Sequence, residues 1–264
     1  MQVEKKLAQL SNVERELHLK NWLNRHDIKR FFFDLDDTIA PTKPIFNEKA
    51  KFASILMASL HPEKDSLAWK KEIGAISNRL FEEYSVQKIR WDVLTQEMKK
   101  TFNLSETLSS AMQRIFASVY QTPYQMFPEA HDTLAMFKKI NFPMSIVTHA
   151  DETWTWQKYI WFGLEEYVAW DDVHIIDARG HKDFRSWKSV CDSYRVKPVN
   201  IASAGDSPRS DILPSLEAGI KQTFLINNPD RWSIHNLPVP DSVHQISHIG
   251  HLIDTIIRLD LENK

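Results

Sequence analysis

The hydrophobic residues of this chain follow different spacings in different segments, and the spacing predicts where strands and helices lie. The first strand signal is Phe31-Phe32-Phe33, a continuous apolar run that leads directly into acidic residues. A short run of this kind is typical of a central strand that is buried on both faces of a parallel sheet. Residues 1–26 show helical spacing, and Ser11 with Glu14 matches a capping box at the start of a second helix. We therefore predict an N-terminal helical extension ahead of the first core strand.

The segment 41–126 shows helical spacing nearly throughout and almost no strand signal. Prolines mark its entry at Pro41 and Pro44 and its exit at Pro123 and Pro128. We interpret the segment as an inserted, all-helical cap domain. An insertion that leaves and re-enters a sheet at one edge would lie over the strand ends, where a lid belongs. A helical domain docked elsewhere is the alternative.

Strand and helix patterns alternate through the rest of the chain. Such alternation is typical of an α/β fold in which helices cover both faces of a parallel sheet. Residues 27–40 and 127–264 together form the predicted core. The spacing predicts strands at 143–148, 173–176, 200–204 and 223–226, and helices at 129–140, 151–162, 183–194, 214–218 and 246–259.

Carboxylates follow two of the predicted strands at the edge of the sheet where ligands bind in open α/β folds. Asp34 ends the strand of phenylalanines, and Asp36 lies just beyond it. Asp206 and Asp211 follow a later strand, after Gly205, which permits a sharp turn. Carboxylates held this close repel one another unless a cation compensates, and oxygen-only ligands suit Mg²⁺. For Asp34 and Asp36 taken alone, an acidic turn without a metal is the alternative interpretation.

A hydroxyl group and an ammonium group are predicted at the same edge of the sheet. Thr148 ends a predicted strand, where its hydroxyl is suited to bind a phosphate oxygen. Lys182 follows Gly180 in a loop that leads into a helix, where it is suited to bind an anion. Each residue alone has an ordinary structural explanation. Together with the carboxylates, they supply the groups needed for Mg²⁺-assisted phosphoryl transfer.

The composition excludes several classes of function. With 42% hydrophobic and 26% charged residues, the chain has the balance of an ordinary globular protein. Its net charge of -2 provides no basic field for nucleic acid, and no apolar run is long enough to span a membrane. The single cysteine, Cys191, and the absence of an apolar N-terminal signal predict a reducing, cytoplasmic location. The Trp-rich helix at 151–162 and the N-terminal helices offer surfaces for a homodimer, although both can equally be covered within one chain.

Four short motifs occur along the chain in a fixed order. They are Asp34-Leu35-Asp36-Asp37-Thr38, then Ile146-Val147-Thr148, then Lys182, then Gly205-Asp206 through Asp211. In order and spacing, this set resembles the haloacid dehalogenase-like superfamily, in particular its phosphatase branch with a helical cap between the first two motifs. The resemblance covers about residue 27 to the end of the chain. It implies a Rossmann-like core that carries the helical cap.

The sequence departs from the family pattern at two motifs. Lys182 is followed by Asp183 where proline is frequent, so Lys188 remains a second candidate for the third motif. His149 and Ala150 stand where the family commonly has Asn-Gly, the loop whose backbone contacts phosphate in the family. In the first motif, the resemblance implies that Asp37 points away from the site and has no catalytic role.

The resemblance also implies a role for each matched residue. Asp34 would be the nucleophile and would form an aspartyl-phosphate. Asp36 would protonate the leaving oxygen and then take a proton from water; the dehalogenase branch lacks an acid at this position, because a halide needs no proton. Thr148 and Lys182 would orient the phosphoryl oxygens. The ligands of Mg²⁺ would be Asp34, the backbone carbonyl of Asp36, Asp206 and Asp211.

We therefore predict a Mg²⁺-dependent phosphomonoester hydrolase that acts on a small phosphorylated metabolite of the nucleoside monophosphate or sugar phosphate type. A cap that closes over the site admits compact substrates better than proteins. One alternative is a non-catalytic, phosphate-binding interaction protein, which would not need both a nucleophile and an acid. Another is a phosphomutase, which shares all four motifs.

Overall fold

A parallel β-sheet forms the centre of the molecule. In the computed structural model, which describes residues 2–227 and 237–262, its six strands lie in the order β3-β2-β1-β4-β5-β6. Every pairing is parallel, and Phe31 lies opposite Met144 on one side and Ala202 on the other. The strands are β1 Arg30–Phe33, β2 Met144–Ala150, β3 Val173–Asp177, β4 Ile201–Gly205, β5 Gln222–Ile226 and β6 His244–Ile246.

Helices lie before, between and after the strands, and the predicted α/β class with a helical insertion is confirmed. None of the helices in the described ranges has the length and apolarity needed to cross a membrane. The helices are α1 Gln2–Gln9, α2 Asn12–Arg25, α3 Thr42–Leu60, α4 Ser66–Tyr84, α5 Ile89–Phe102, α6 Glu106–Ala117, α7 Pro128–Lys139, α8 Glu152–Trp161, α9 Phe184–Ser193, α10 Leu213–Glu217 and α11 His251–Glu262.

Strand β1 is anchored on both of its faces. Its three phenylalanines are fully buried, as the continuous apolar run predicts. Phe31 and Phe33 pack against Phe137 of α7 on one face, and Phe32 packs near Trp187 of α9 on the other. Because the strand is held from both sides, its carboxyl end is a rigid position from which the next residue projects.

The N-terminal helices pack against the core. The capping box of Ser11 and Glu14 is present at the start of α2. Leu19 and Trp22 of this helix are fully buried in the same hydrophobic cluster as Phe31. Helices α1 and α2 both contact α11, so the N-terminal helices lie in one layer with the last described helix.

The end of the chain differs from the prediction. A helix is predicted over 246–259, but His244–Ile246 forms a sixth strand, and the helix begins only at His251. The strand pairs with β5, where Phe224 lies opposite His244. Three residues are too few to show a two-residue period, and the open edge of β5 decides their conformation through a contact that is not local in sequence.

Helices α3–α6 form a second, separate hydrophobic cluster above the carboxyl ends of the strands. The chain leaves and re-enters the core at adjacent points, because the Phe127 amide donates a hydrogen bond to the Ile39 carbonyl, at 2.9 Å. Pro44, one of the two prolines that mark the entry of the insertion, lies in the first turn of α3, where proline is tolerated. Trp154 of core helix α8 belongs to the upper cluster and contacts Phe46 and Tyr120. The helical insertion therefore covers the sheet edge that carries the predicted site.

Candidate active site

A cavity of about 120 Å³ lies between the carboxyl ends of the strands and the helical insertion. Its volume is similar to that of a ~150 Å³ engineered cavity that binds benzene, so it suits a compact group. Side chains from helices α3, α4 and α5 form the upper wall. The lower wall contains all six residues predicted for the site, namely Asp34, Asp36, Thr148, Lys182, Asp206 and Asp211.

Asp34 occupies the first position after β1 and is 6% exposed. Its backbone amide donates to the Ala204 carbonyl at 2.9 Å, which continues the sheet pairing and fixes the side chain's direction. Burial raises the pKa of Asp34 to about 7, and the nearby Asp211 carboxylate adds to this effect. Lys182 opposes the shift without cancelling it. Asp34 is therefore a desolvated carboxyl group whose charged form lacks sufficient compensation from the protein.

Lys182, rather than Lys188, is the lysine at this site. Its Nζ donates to Asp34 Oδ1 at 2.7 Å, to Asp211 Oδ1 at 2.6 Å and to the Val147 carbonyl at 2.6 Å. Burial alone would lower the pKa of Lys182, but Asp211 and Asp34 raise it above its usual value, so the ammonium group stays charged. Lys188 lies on the surface and pairs with Asp192.

The carboxylates of Asp34, Asp206 and Asp211 converge, with one oxygen of each lying within 4.8 Å of the others. All three residues are buried. The pKa of Asp206 is raised well above its usual value by burial and then by the charges of Asp37 and Asp211. Three buried oxygen donors that repel one another, with one lysine among them, fit a hard divalent cation such as Mg²⁺.

A tight turn after β4 brings Asp211 back to the site. The Ser207 amide donates to Asp211 Oδ2 at 2.9 Å, and Pro208–Ile212 form a single π-helical turn. A Cβ atom on Gly205 would lie 2.5 Å from the side-chain atoms of Asp211. Glycine is therefore required at this position for the carboxylate to approach the end of the strand.

Thr148 lies in β2 near its end, and its side chain is buried. Within the described part of the chain, its Oγ1 has no hydrogen-bond partner. A buried hydroxyl without a partner carries a desolvation cost of about 1–3 kcal/mol, which a bound acceptor or donor removes. This hydroxyl lies in the cavity wall, where it is available to a ligand oxygen.

Asp37 differs from the expectation that it points away. It lies in the cavity wall, is 5% exposed and has a left-handed backbone conformation, with φ of 60°. Its Oδ1 accepts a hydrogen bond from the Lys43 amide at 2.7 Å, which ties the first turn of α3 to the motif. Its charge also acts on Asp206, as described above. Asp37 therefore helps to position the start of the helical insertion and contributes to the electrostatic field in the site.

Asp36 lies apart from the carboxylate trio and is held by a residue that the sequence analysis missed. Lys158 of α8 is fully buried, and its Nζ donates to both carboxylate oxygens of Asp36 at 2.7 Å. Thr42 Oγ1 donates to Asp36 Oδ1 at 2.5 Å. The available signal was a single lysine among the aromatic residues of the 151–162 helix. Whether the Asp36 carbonyl binds a metal stays a prediction.

The fold and the site together define a capped α/β enzyme centred on an aspartate at the end of the first strand. Residues 28–219 match the family model described as haloacid dehalogenase-like hydrolase. Because this match spans more than half of the sequence, the chain belongs to that family, and the predicted resemblance is confirmed. No curated protein matches the chain.

Solved structures of the same superfamily share the fold. A haloacid dehalogenase-like family hydrolase from Xanthomonas campestris has a TM-score of 0.67 at 14% identity, over 90% of this chain and 95% of the other. A predicted phosphoglycolate phosphatase from Haemophilus somnus has a TM-score of 0.59 at 15% identity, over 87% and 98%. A 2-haloacid dehalogenase from Pseudomonas syringae has a TM-score of 0.53 at 21% identity, over 88% and 99%.

Proposed function

We propose that this hydrolase is a Mg²⁺-dependent phosphomonoesterase that acts on a small phosphorylated metabolite. The observation that carries the proposal is a second carboxyl group in the same cavity as Asp34. This group belongs to Asp36 and is held in place by Lys158. A nucleophile alone is enough to displace a halide. An alkoxide leaving group also needs a proton, and Asp36 is placed to provide one.

The proposed reaction has two steps, and both pass through Asp34. In the first step, an oxygen of Asp34 attacks phosphorus, the bond from phosphorus to the ester oxygen breaks, and the released oxygen takes a proton from Asp36. In the second step, water attacks the aspartyl-phosphate and gives a proton to Asp36, and the bond between phosphorus and Asp34 breaks. The products are the alcohol and inorganic phosphate. Splitting the transfer in this way makes each step easier.

The remaining residues bind and orient the phosphoryl group. The unpartnered hydroxyl of Thr148 and the ammonium group of Lys182 are the groups that would bind its oxygens. Asp34, Asp206 and Asp211 would hold the Mg²⁺ ion. When bound, the ion would offset the charge of these carboxylates and of the phosphoryl oxygens. Lys182 keeps Asp34 and Asp211 in position in the metal-free protein.

The proposal is tested by measuring phosphate release from a panel of phosphomonoesters, including an aryl phosphate, with Mg²⁺ and with excess chelator. We expect release with Mg²⁺ and a loss of roughly 10³-fold or more with chelator, because the metal supplies several kcal/mol of transition-state stabilisation. A 2-haloacid panel, assayed for halide, runs in parallel. Halide release without phosphate release, from folded protein, would overturn the proposal.

Lys158→Met should lower kcat for alkyl phosphates by roughly 10²-fold while changing KM by less than about threefold. Lys158 does not line the cavity, but its Nζ donates to both carboxylate oxygens of Asp36 and so orients the proposed acid. Steady-state kinetics at several pH values measure the effect, with circular dichroism as a check on folding.

Lys188→Met is the matched control for this variant, because it removes a surface lysine that also pairs with an aspartate. Its kinetics should equal those of the parent. A purely structural role for Lys158 would be indicated if its replacement reduced the turnover of aryl and alkyl phosphates by the same factor.

A further inference from the structure

The upper wall of the cavity contains a buried arginine that the proposed reaction does not use. Arg90 lies in the first turn of α5, is 7% exposed and lines the same cavity as Asp34. Its Nη1 donates to the Ser85 carbonyl at 2.8 Å. Across the described ranges, its Nε has no hydrogen-bond partner, and no carboxylate lies within ion-pairing distance of its guanidinium group.

A buried cation without a counterion is costly. Burial lowers the pKa of Arg90 to about 10, yet the group stays charged at neutral pH. Buried charges in proteins are normally paired. The contrast with Arg209 is informative, because that arginine, on the core loop after β4, forms a two-point ion pair with Glu82 of α4. The charge that would pair with Arg90 is not supplied by the described protein.

The guanidinium group is held in a fixed orientation. Its Cζ lies 5.2 Å from the ring centroid of Phe81 and 4.8 Å from that of Trp91. Trp91 is itself fixed, since its Nε1 donates to the Tyr120 hydroxyl at 3.0 Å. A planar fork of donors held against aromatic rings matches the geometry of a carboxylate or phosphate and loses little entropy on binding.

We propose that Arg90 binds a second anionic group of the substrate, a carboxylate or a second phosphate, at the end opposite the phosphoryl group that is transferred. This inference rests on the proposed phosphatase function and narrows its substrate class. The cavity encloses about 120 Å³, so the two anionic groups are separated by a short chain. Phosphorylated hydroxy acids and small bisphosphates meet this requirement. Nucleoside monophosphates and simple sugar phosphates lack the second anion.

The first test compares phosphooxy carboxylates of two to four carbons, and the matching bisphosphates, with counterparts in which an uncharged amide or alcohol replaces the second anionic group. We expect wild-type kcat/KM to favour the compounds with a second anionic group by roughly 10- to 100-fold, the value of a buried charge-assisted hydrogen-bonded pair. Arg90→Gln should remove that preference while changing kcat/KM for the esters without a second anionic group by less than about threefold. Arg90→Lys should restore part of it. Arg79→Gln, which removes a surface arginine of α4 that pairs with Glu97, should leave it unchanged.

A second test does not require turnover. Phosphonocarboxylates, in which a methylene group replaces the ester oxygen, are titrated into the wild type and into Arg90→Gln by calorimetry with Mg²⁺ present. Binding that weakens at least tenfold in the variant supports the subsite, even if no ester is hydrolysed and the phosphatase proposal fails. Hydrolysis that depends equally on Arg90 for esters with and without a second anionic group overturns the subsite and leaves the phosphatase proposal standing. Absence of both binding and hydrolysis overturns both.

Discussion

Asp34→Asn is expected to abolish phosphomonoester turnover, with a loss of roughly 10⁴-fold or more, as for removal of other covalent nucleophiles. The amide preserves the shape of the side chain at the end of β1, but it is too weak a nucleophile to attack phosphorus. Phosphate release from an aryl ester, where the leaving group needs least help, gives the most sensitive assay. Asp192→Asn is the matched control, because it alters a surface aspartate that pairs with Lys188. Near-parent activity in Asp34→Asn would mean that another residue is the nucleophile.

The same variant should be more stable than the parent when metal is absent. The pKa of Asp34 is about 7 in the folded protein against an ordinary 3.8, so the folded state binds the extra proton between about pH 4 and about pH 7. Parent stability therefore falls as pH rises through this window and stays reduced above it. Asparagine does not titrate, so the variant avoids this pH-dependent loss of stability. Lys182 Nζ still donates to Asp211 Oδ1, at 2.6 Å in the parent. At pH 8 with chelator, we expect a gain of about 1 kcal/mol or more.

Thermal unfolding at pH 5 and pH 8 measures this gain, which corresponds to a Tm increase of about 2–4 °C per kcal/mol in a chain of this size. The difference between variant and parent should be larger at pH 8. Added Mg²⁺ should stabilise the parent more than the variant. A ligand that binds only the folded state raises the free energy of unfolding by an amount set by its affinity. An equal effect of Mg²⁺ on both proteins would place the ion away from Asp34.

The sequence predicted those parts of the site that depend on local order. Asp34 and Asp206 each directly follow a buried strand, and Thr148 lies near the end of β2; parallel strands bring such ends to one edge. Gly205 carried a similar local signal, because a turn that returns Asp211 to the strand leaves no room for a Cβ atom. Where strand position and turn chemistry determine geometry, one sequence was sufficient.

The residues that were missed depend on packing between distant segments. Lys158 and Asp36 are separated by 122 positions, and their contact requires helix α8 to lie beside the first motif. Nothing near Arg90 in the sequence distinguishes it from the surface cations of other helices, because its burial results from the docking of the helical insertion. Strand β6 depends in the same way on the open edge of β5. Such features follow from the assembled fold rather than from spacing along one element.

Asp36→Asn is expected to reduce kcat for alkyl phosphates by roughly 10²- to 10⁴-fold, the usual contribution of a general acid. An alkoxide is a poor leaving group, so its departure depends on a proton delivered in the transition state. A nitrophenolate leaves without that help. For an aryl ester, we therefore expect the variant to lose much less rate in the first step, in which the ester bond breaks. The loss that remains arises in the second step, in which Asp36 takes a proton from water. The ratio of alkyl to aryl turnover, measured in parent and variant, isolates the role of Asp36.

This variant leaves the fully buried ammonium group of Lys158 without its carboxylate partner, so lost activity alone would not distinguish a missing acid from a disturbed fold. The double variant Asp36→Asn/Lys158→Met removes both charges and serves as the second test. If Asp36 is the acid, both variants show the same selective loss for alkyl esters, because the proton source is absent in each. If the ratio of alkyl to aryl turnover stays at the parent value in the double variant, the proposal that Asp36 donates the proton is wrong. The site would then be suited to leaving groups that depart unprotonated, as a halide does.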